Sequence, residues 1–232
     1  SHKSTRIQDF LVHTSFNQIG AVTGRLSSSD PNLQNIPMRT ELGRQIRRAF
    51  VPGEPGWLLM AGDYSQVELR ILAHCCKDPA LVEAFQEDRD IHAFVASQVF
   101  GVPLEQVTSQ QRGRAKTVNF GIIYGQGPHG LAQQTGMSLG DARDFIARYF
   151  LRYPGIRRFI DECIRFAEAN GYVQTLMGRR RPIREIRSRH PGLRSQAERL
   201  AINSVIQGTA ADMMKKAMVA VHRRIESGLE AW

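Results

Sequence analysis

The hydrophobic period of the chain changes at Asp63, and no other feature constrains the fold as strongly. Before that point, segment 10–29 is typical of short β-strands broken at Gly20 and Gly24. Segment 47–63, RRAFVPGEPGWLLMAGD, predicts a strand, a Pro/Gly turn and a buried strand that ends at Asp63. After Asp63 the apolar residues recur at helical spacing, as in Leu69, Leu72, Ala73 and Cys76.

The rest of the chain is mostly helical in pattern. Helices are predicted over 79–87, 90–101, 109–125, 138–170 and 195–228, the last as one helix or two. Residues 172–176 predict a short strand, and 178–190 a basic loop. A β-rich first part followed by a helix-rich part predicts the α+β class, with a sheet platform and a helical subdomain.

The net charge of +9, from 31 Lys and Arg against 22 Asp and Glu, indicates a polyanionic partner. Nucleic acid is favoured over a membrane surface, although a basic surface that only keeps the protein in solution also fits. The longest apolar stretch falls short of the ~20 residues that cross a bilayer, so no membrane partner is expected. With no leader at residue 1 and an odd number of cysteines, three, a reduced, cytoplasmic location is predicted.

One predicted helix carries a pattern that suits a nucleotide. Arg112, Lys116, Phe120 and Tyr124 follow one another in steps of four and share one face over roughly 18 Å. Arg112 and Lys116 can bind phosphates, and the two aromatic residues can contact a base or sugar. An ordinary amphipathic helix, with its aromatic residues in the core, is an equal alternative on this pattern alone.

A dense group of arginines lies in the predicted basic loop. Planar guanidinium groups suit phosphate oxygens, so this group predicts contact with a nucleic-acid backbone. A solvated loop is the less favoured alternative. The six residues are Arg179, Arg180, Arg181, Arg184, Arg187 and Arg189, opposed by Glu185.

Asp63 and Glu68 are candidate metal ligands. A carboxylate at the end of a buried strand can bind Mg²⁺, which takes one or two carboxylates and fills its shell with water and phosphates. A helix cap is the simpler explanation for Asp63 alone. With a phosphate-binding helix face about fifty residues later, the metal interpretation is preferred.

Four segments resemble motifs of family A DNA polymerases. DYSQVELRILAH (63–74) resembles motif A, and RGRAKTVNFGIIYG (112–125) resembles motif B. TGRLSSSDPNLQNIP (23–37) and ERLAINSVIQGTAAD (198–212) resemble segments that contact primer–template. The resemblance implies a right-hand polymerase architecture, with an antiparallel β palm portion at 1–66, mostly helical fingers at 67–225, and the start of the remaining palm at 226–232.

This resemblance also implies roles for individual residues. Asp63, with the main-chain carbonyl of Tyr64, would bind the two catalytic Mg²⁺ ions, and Arg112 and Lys116 would assist catalysis at the triphosphate. Glu68 would exclude a ribose 2′-OH while pairing with Tyr124. The implied dNTP-binding residues are Gln66, Glu68, His92, Arg112, Lys116, Phe120 and Tyr124. The implied DNA-binding residues are Arg25, Asn32, Asn35, Arg179, Arg180, Arg199, Asn203 and Gln207.

The family's third motif, His-Asp-Glu, supplies a second catalytic carboxylate, and this triplet does not occur in the 232 residues. We therefore expect it beyond Trp232, and expect the isolated chain to be a polymerase-core fragment of weak or no activity, without nuclease domains. One alternative is a fragment that binds primer–template and dNTP but needs a C-terminal segment for catalysis. Another is a single-subunit RNA polymerase, which Glu68 disfavours. The expected partners are primer–template DNA and dNTPs, bound by a monomer that serves replication and repair at the bacterial nucleoid.

Overall fold

The computed structural model describes residues 7–8, 11–37, 40–123 and 125–228. The chain divides into two compact units, residues 1–65 and 66–232. The first unit is poor in regular structure and the second is dominated by helices, so each is described by itself.

The first unit contains two small antiparallel pairs of strands. Strand β1 (Ile7–Gln8) pairs with β2 (Leu11–Val12), and β3 (Ser15–Asn17) pairs with β4 (Ser27–Ser29). The pairing of β3 with β4 confirms the short strands predicted over 10–29. A 3₁₀ helix, Leu33–Asn35, follows, and its N-cap Asn32 accepts a hydrogen bond from the Gln34 amide at 3.0 Å.

Helix α1 (Glu41–Arg48) contains the first part of the segment for which two strands were predicted. Thr40 caps it by accepting a hydrogen bond from the Gly43 amide at 3.1 Å. Arg47 and Arg48 lie in its last turn, where positive side chains offset the negative end of the helix dipole. The strand predicted at RRAF is therefore wrong, because local capping and charge favour a helix there.

The buried strand predicted to end at Asp63 is also wrong. Residues 57–64 form neither helix nor strand, and Leu58 and Met60 are 91% and 96% exposed. A strand needs a partner for its backbone N–H and C=O groups, and no described segment pairs with this run. Asp63 is consequently an exposed residue in an irregular segment rather than the end of a buried strand.

Eight α-helices and one hairpin are described in the second unit. The helices are α2 (Val67–Cys76), α3 (Pro79–Gln86), α4 (Ile91–Phe100), α5 (Ser109–Ile123), α6 (Pro128–Thr135), α7 (Leu139–Arg152), α8 (Pro154–Asn170) and α9 (Pro191–Glu226). Leu69, Leu72 and Cys76 of α2 are buried in a core shared with α4, α8 and α9, as their spacing predicted.

The helix predicted over 138–170 is divided in two at Pro154. Proline has no amide hydrogen and clashes with the preceding turn, so α7 ends at Arg152 and α8 begins at Pro154. The buried Asp78 carboxylate accepts a hydrogen bond from the Gly155 amide at 3.0 Å, which satisfies one free donor at the start of α8. Helix α8 ends before Gly171, where φ is +75°, as the sequence predicted.

The hairpin joins β5 (Tyr172–Gln174) to β6 (Arg180–Pro182) in antiparallel register, with Val173 opposite Arg181. Strand β5 confirms the strand predicted at 172–176. The predicted basic loop contains β6 and the 3₁₀ helix Arg184–Arg187, and then α9 runs without interruption for 36 residues. Small antiparallel sheets together with a helical core confirm the α+β class. None of the described helices combines the length and the apolar character needed to cross a membrane.

Candidate functional site

Asp90 joins the N-termini of two neighbouring helices, α4 and α5. As the N-cap of α4, it accepts hydrogen bonds at Oδ1 from the amides of His92 (3.0 Å) and Ala93 (3.1 Å). Its Oδ2 accepts a hydrogen bond at 2.7 Å from Nε of Arg112, in the first turns of α5. Burial opposes ionisation of Asp90, but the bonds from Arg112 and from the Ala93 amide outweigh it and lower the pKa of the carboxyl.

His92 is buried against α5, with 4% of its surface exposed. Nδ2 of Asn119 lies 3.2 Å from Nδ1 of His92. In the arrangement where the Asn119 amide donates, Nδ1 accepts and the proton of the neutral ring lies on Nε2. Burial lowers the pKa of His92, and the charges of Arg112 and Lys116 lower it further against the opposing effect of Asp90. His92 is therefore neutral at neutral pH.

The predicted face of α5 is present as far as the structure describes it. Arg112 and Lys116 are exposed, and Phe120 is half-buried with its ring centroid 5.9 Å from that of His92. Tyr124, the fourth residue predicted on this face, lies outside the described residues. The polar end of the helix face is thus cationic and solvent-exposed, while its aromatic end packs beside a neutral imidazole.

A cleft of about 760 Å³ opens along this face of α5. Lys116 and Phe120 line it on one side, and Arg199 of α9 lines it together with residues 126–130 and 134. None of its described lining residues is acidic, and its volume is in the range of small-molecule sites. The lining is therefore cationic and includes the ring of Phe120, which suits a phosphorylated, planar ligand.

Gly125 brings α9 close to the end of α5. Its φ of +65° favours glycine, and a Cβ added there would lie 2.5 Å from Cγ of Arg199. Arg199 also donates from Nη1 to Ser195 Oγ at 2.9 Å, so its side chain is held at the cleft. A side chain at position 125 would displace Arg199 from the cleft lining.

Arg199, Asn203 and Gln207 follow one another in steps of four on α9 and share a face. All three are half-buried. Oδ1 of Asn203 is buried without a hydrogen-bond partner among the described residues, a costly arrangement for an amide oxygen. Of these three predicted DNA-binding residues, only Arg199 lines the cleft of α5.

The arginines of the basic segment fall into two groups. Arg179 pairs with the buried Asp212, and Arg181 donates to Ser204 Oγ at 2.7 Å. Arg187 donates to the backbone oxygens of Glu168 and Ala169, at 2.6 and 3.0 Å, and so caps the end of α8. These three side chains fix the segment to the helical core.

The remaining three arginines of this segment do not fix it to the helical core. The guanidinium of Arg180 lies 4.9 Å from the ring centroid of Tyr172, a cation–π contact. Arg184 and Arg189 are exposed and make no hydrogen bond or ion pair with any other part of the chain that the structure describes. The positive charge available to an outside anion is therefore concentrated at these last two residues.

The predicted metal ligands Asp63 and Tyr64 belong to the first unit, and both are exposed. Gln66 and Glu68 open the second unit; Gln66 is the N-cap of α2, and Glu68 is half-buried in its first turn. Within the described ranges, no three His, Cys, Asp or Glu side chains gather as a metal site. One carboxylate and one carbonyl suffice for Mg²⁺ only if water and substrate phosphates complete its shell.

Three of the predicted DNA-binding residues lie in the first unit. Arg25 is exposed in the connection before β4, Asn32 is the N-cap of the 3₁₀ helix, and Asn35 is the last residue of that helix. Oδ1 of Asn32 also accepts from Ser28 Oγ at 3.1 Å, so this asparagine orders its own loop.

Comparison with known proteins identifies the family of this chain. The model of DNA polymerase family A matches residues 2–231. The chain belongs to DNA polymerase family A. It is 57% identical over 219 residues to DNA polymerase I of Chloroflexus aurantiacus, covering 94% of this chain and 23% of the relative. It is 52% identical to the thermostable DNA polymerase I of Thermus aquaticus, covering 93% of this chain and 26% of the relative.

A solved structure is similar to this family A chain throughout its length. The POL domain of Pol1 from M. smegmatis, in complex with DNA primer-template and dNTP, superposes with a TM-score of 0.91 at 46% identity. The match covers 97% of this chain and 40% of the other. The chain thus spans about a quarter of the length of the curated relatives that it matches.

Two residues of this family A chain that contact the predicted site were missed by the sequence analysis, Asp90 and Asn119. Asp90 is the first residue of the predicted helix over 90–101, which is a recognisable N-cap signal. Nothing in the spacing indicates that its second oxygen binds Arg112, 22 residues later. Asn119 lies next to Phe120, on a face that periodicity assigns to the core, and its contact with His92 depends on how α4 packs on α5.

Proposed function

We propose that this chain is the dNTP- and primer–template-binding part of a template-directed DNA polymerase. The reaction transfers a deoxynucleotide to a primer 3′-OH: the 3′ oxygen loses its proton to solvent and bonds to the α-phosphorus, the bond from the α-phosphorus to the oxygen bridging it to the β-phosphorus breaks, and pyrophosphate leaves with that oxygen. The observation that carries the proposal is the face of α5, where Arg112 and Lys116 precede Phe120 and His92 packs beside the ring.

Each residue of this face has a role that its chemistry supports. Arg112 and Lys116 bind the β- and γ-phosphate oxygens and offset the negative charge that moves onto pyrophosphate. His92, neutral and protonated at Nε2, donates a hydrogen bond to the same phosphates without adding charge. Phe120 contacts the sugar and base of the incoming nucleotide, and Gln66 assists at the triphosphate. Tyr124 is proposed to close the insertion site beside the template base.

The metal requirement is proposed from the family and from Asp63. Mg²⁺ held by the carboxylate of Asp63 and the main-chain carbonyl of Tyr64 would lower the pKa of the primer 3′-OH and neutralise triphosphate charge. A single exposed carboxylate is compatible with Mg²⁺, because substrate phosphates and water supply the other ligands. A second carboxylate from a His-Asp-Glu motif remains part of the proposal, and that triplet does not occur in these 232 residues.

DNA binding is proposed for each unit by itself. In the second unit, Arg199, Asn203 and Gln207 contact the primer–template backbone or its minor groove, whose acceptors are shared by all base pairs. In the first unit, the same role is proposed for Arg25, Asn32 and Asn35. Arg184 and Arg189 offer uncommitted charge to phosphates, and Arg180 retains part of its exposed surface. Arg179 contributes chiefly by holding the hairpin through Asp212. The palm assignment of 1–66 and the fingers assignment of 67–225 belong to this proposal, as do a monomeric state and a place at the bacterial nucleoid.

Primer extension tests the activity. The 232-residue chain and a chimera, in which this chain replaces the matching part of a full-length family A relative, are assayed with primer–template, dNTPs and Mg²⁺. We expect DNA synthesis from the chimera and little or none from the chain alone. Vigorous synthesis by the chain alone would contradict the need for a second carboxylate, and an inactive, folded chimera would contradict the proposed function.

Glu68 distinguishes DNA synthesis from RNA synthesis. Its half-buried carboxylate in the first turn of α2 is proposed to occupy the space that a ribose 2′-OH would need. In the chimera, Glu68→Ala is expected to increase incorporation of rNTPs relative to dNTPs at least about tenfold. Preferential use of rNTPs by the unsubstituted chimera would favour an RNA polymerase instead.

A further inference from the structure

Asp90 contacts two residues that the proposed function assigns to the triphosphate, although it matches none of the quoted motifs. One carboxylate oxygen fixes the first turn of α4, which carries His92, and the other binds Arg112 of α5. We propose that Asp90 is a positioning residue that presents Arg112 and His92 together to the phosphates of the incoming nucleotide. This inference rests on the proposed function of the α5 face.

The way in which Asp90 binds Arg112 leaves the phosphate-binding edge of the guanidinium available. The contact is made through Nε, at 2.7 Å from Oδ2. Nη1 and Nη2 make no hydrogen bond with any other described residue. These two nitrogens form the fork that binds two oxygens of one phosphate group. Asp90 therefore orients the guanidinium from behind and leaves its fork open.

Both oxygens of the Asp90 carboxylate accept hydrogen bonds in this arrangement. Oδ1 accepts two backbone amides and Oδ2 accepts the Nε proton, so rotation of the Asp90 side chain would break three hydrogen bonds. The relative placement of His92 and Arg112 is thereby set by one rigid group rather than by two flexible chains. Preorganised ligands of this kind cost less ordering entropy when the nucleotide binds.

The exposure of the pair argues against a purely structural role. The side chains of Arg112 and Asp90 are 47% and 42% exposed. Ion pairs with this exposure contribute little to folding stability, because water competes for both charges. The principal effect of the pair is therefore expected on ligand binding, and the cap of α4 is a separate effect that other residues can supply.

If Asp90 acts only through its charge, or if it acts by orienting Arg112, its replacement should change the affinity for the triphosphate in opposite directions. Removing a negative charge beside a triphosphate site should tighten binding if only Coulomb attraction matters. Removing the group that orients Arg112 should weaken binding. Asp90→Asn separates the two, since asparagine is as good an N-cap as aspartate and α4 should stay intact.

The experiment uses the active chimera with Asp90→Asn, Arg112→Ala and the double variant. The probes are dNTP, through KM and kcat of primer extension, and inorganic tripolyphosphate, as a competitive inhibitor. We expect Asp90→Asn to raise KM for dNTP and the inhibition constant of tripolyphosphate about tenfold, with a smaller change in kcat. In the Arg112→Ala background, Asp90→Asn should raise neither constant, because the residue it orients is gone.

Asp141→Asn is the matched control. Asp141 lies in the first turn of α7 and accepts a hydrogen bond from Ser138 Oγ at 2.8 Å, with no arginine partner among the described residues. It should leave KM and the inhibition constant unchanged. Thermal unfolding of each variant verifies that α4 keeps its cap.

Two results would overturn the role of Asp90: tighter or unchanged binding in Asp90→Asn, or an equal effect of this substitution with and without Arg112. An unsubstituted chimera that makes no DNA would contradict the proposed function instead. In that case, equilibrium titration of the same variants with tripolyphosphate still tests whether Asp90 acts through Arg112.

Discussion

The carboxylate of Asp212, on α9, binds the guanidinium of Arg179 at the end of the β5–β6 hairpin, with 2.5 Å between Oδ1 and Nη2. The acid is only 8% exposed, and its Oδ2 accepts a further hydrogen bond from Thr175 Oγ1 at 2.8 Å. Arg179, the first arginine of the basic segment predicted to contact DNA, is thus paired with a carboxylate of the protein itself.

The Asp212–Arg179 contact should matter for stability. Asp212→Ala leaves Thr175 and Arg179 without their acceptor, so we expect a loss of about 2 kcal/mol in the free energy of unfolding. Arg179→Ala should cost less, about 1 kcal/mol, because the guanidinium is partly solvated and Thr175 still serves the carboxylate. Urea unfolding of the chain measures both.

Asp161→Asn is the control for this measurement. Its pair with Arg157 on α8 is solvent-exposed on both sides, so its loss should change stability by less than about 0.5 kcal/mol. A loss as large as that of Asp212→Ala would show that burial does not distinguish the two ion pairs.

The remaining arginines of the basic segment should separate DNA binding from stability. Arg184→Ala and Arg189→Ala each remove an uncommitted charge, so each should lower the slope of log Kd against log salt by about one, without changing stability. Arg187→Ala should lower stability by about 1 kcal/mol, because it uncovers two carbonyls at the end of α8, and should leave that slope unchanged. Fluorescence anisotropy with labelled primer–template over a salt series measures the slope. Equal slopes for the Arg187 and Arg184 variants would contradict this division.

Substitution of Gly155 and of Gly113 by alanine should change the stability of the chain in opposite directions. A Cβ at Gly155 would lie 2.8 Å from the backbone oxygen of Cys76 and 2.9 Å from Cβ of Asp78. Because backbone must move to accept it, Gly155→Ala should destabilise the chain by about 2 kcal/mol. Gly113, inside α5, has no atom within 4 Å of its added Cβ, so Gly113→Ala should stabilise by about 0.5–1 kcal/mol. Thermal unfolding compares them, and a destabilised Gly113 variant would contradict the open space beside α5.

His92 should make stability depend on pH in the acid range. Burial lowers its pKa below the ordinary 6.5, so the folded state favours the neutral ring. The stability that this provides is present in full above pH 6.5 and is lost as the pH falls below it. Between pH 7.5 and pH 5, the unfolding free energy should fall more steeply for the unsubstituted chain than for His92→Gln. Parallel pH profiles from urea unfolding would contradict this assignment.

The sequence predicted local structure best where the hydrophobic spacing within one helix decides it, whereas the capping signals that produce α1 were missed. The spacing of Leu69, Leu72 and Cys76 predicted α2, and the steps from Arg112 to Phe120 predicted α5, because i to i+4 contacts are made within one helix. The motif order also identified the family before any fold was known. The strand predicted over the run from Trp57 to Gly62 was wrong for the converse reason. A strand requires a distant partner strand, and the residues of the run do not specify one.

The sequence by itself determined the family, the α+β class, most helices and the cationic and aromatic face of α5. Only the tertiary structure decided which charges are free. Arg179 and Arg184 are the same residue type five positions apart, yet one meets Asp212 and the other meets no described partner. Asp90 likewise meets Arg112 only because α4 and α5 pack together. The hydrophobic period follows from the spacing of residues that are close in sequence. Charge pairing depends on which surfaces meet after folding, and that is a property of the whole chain.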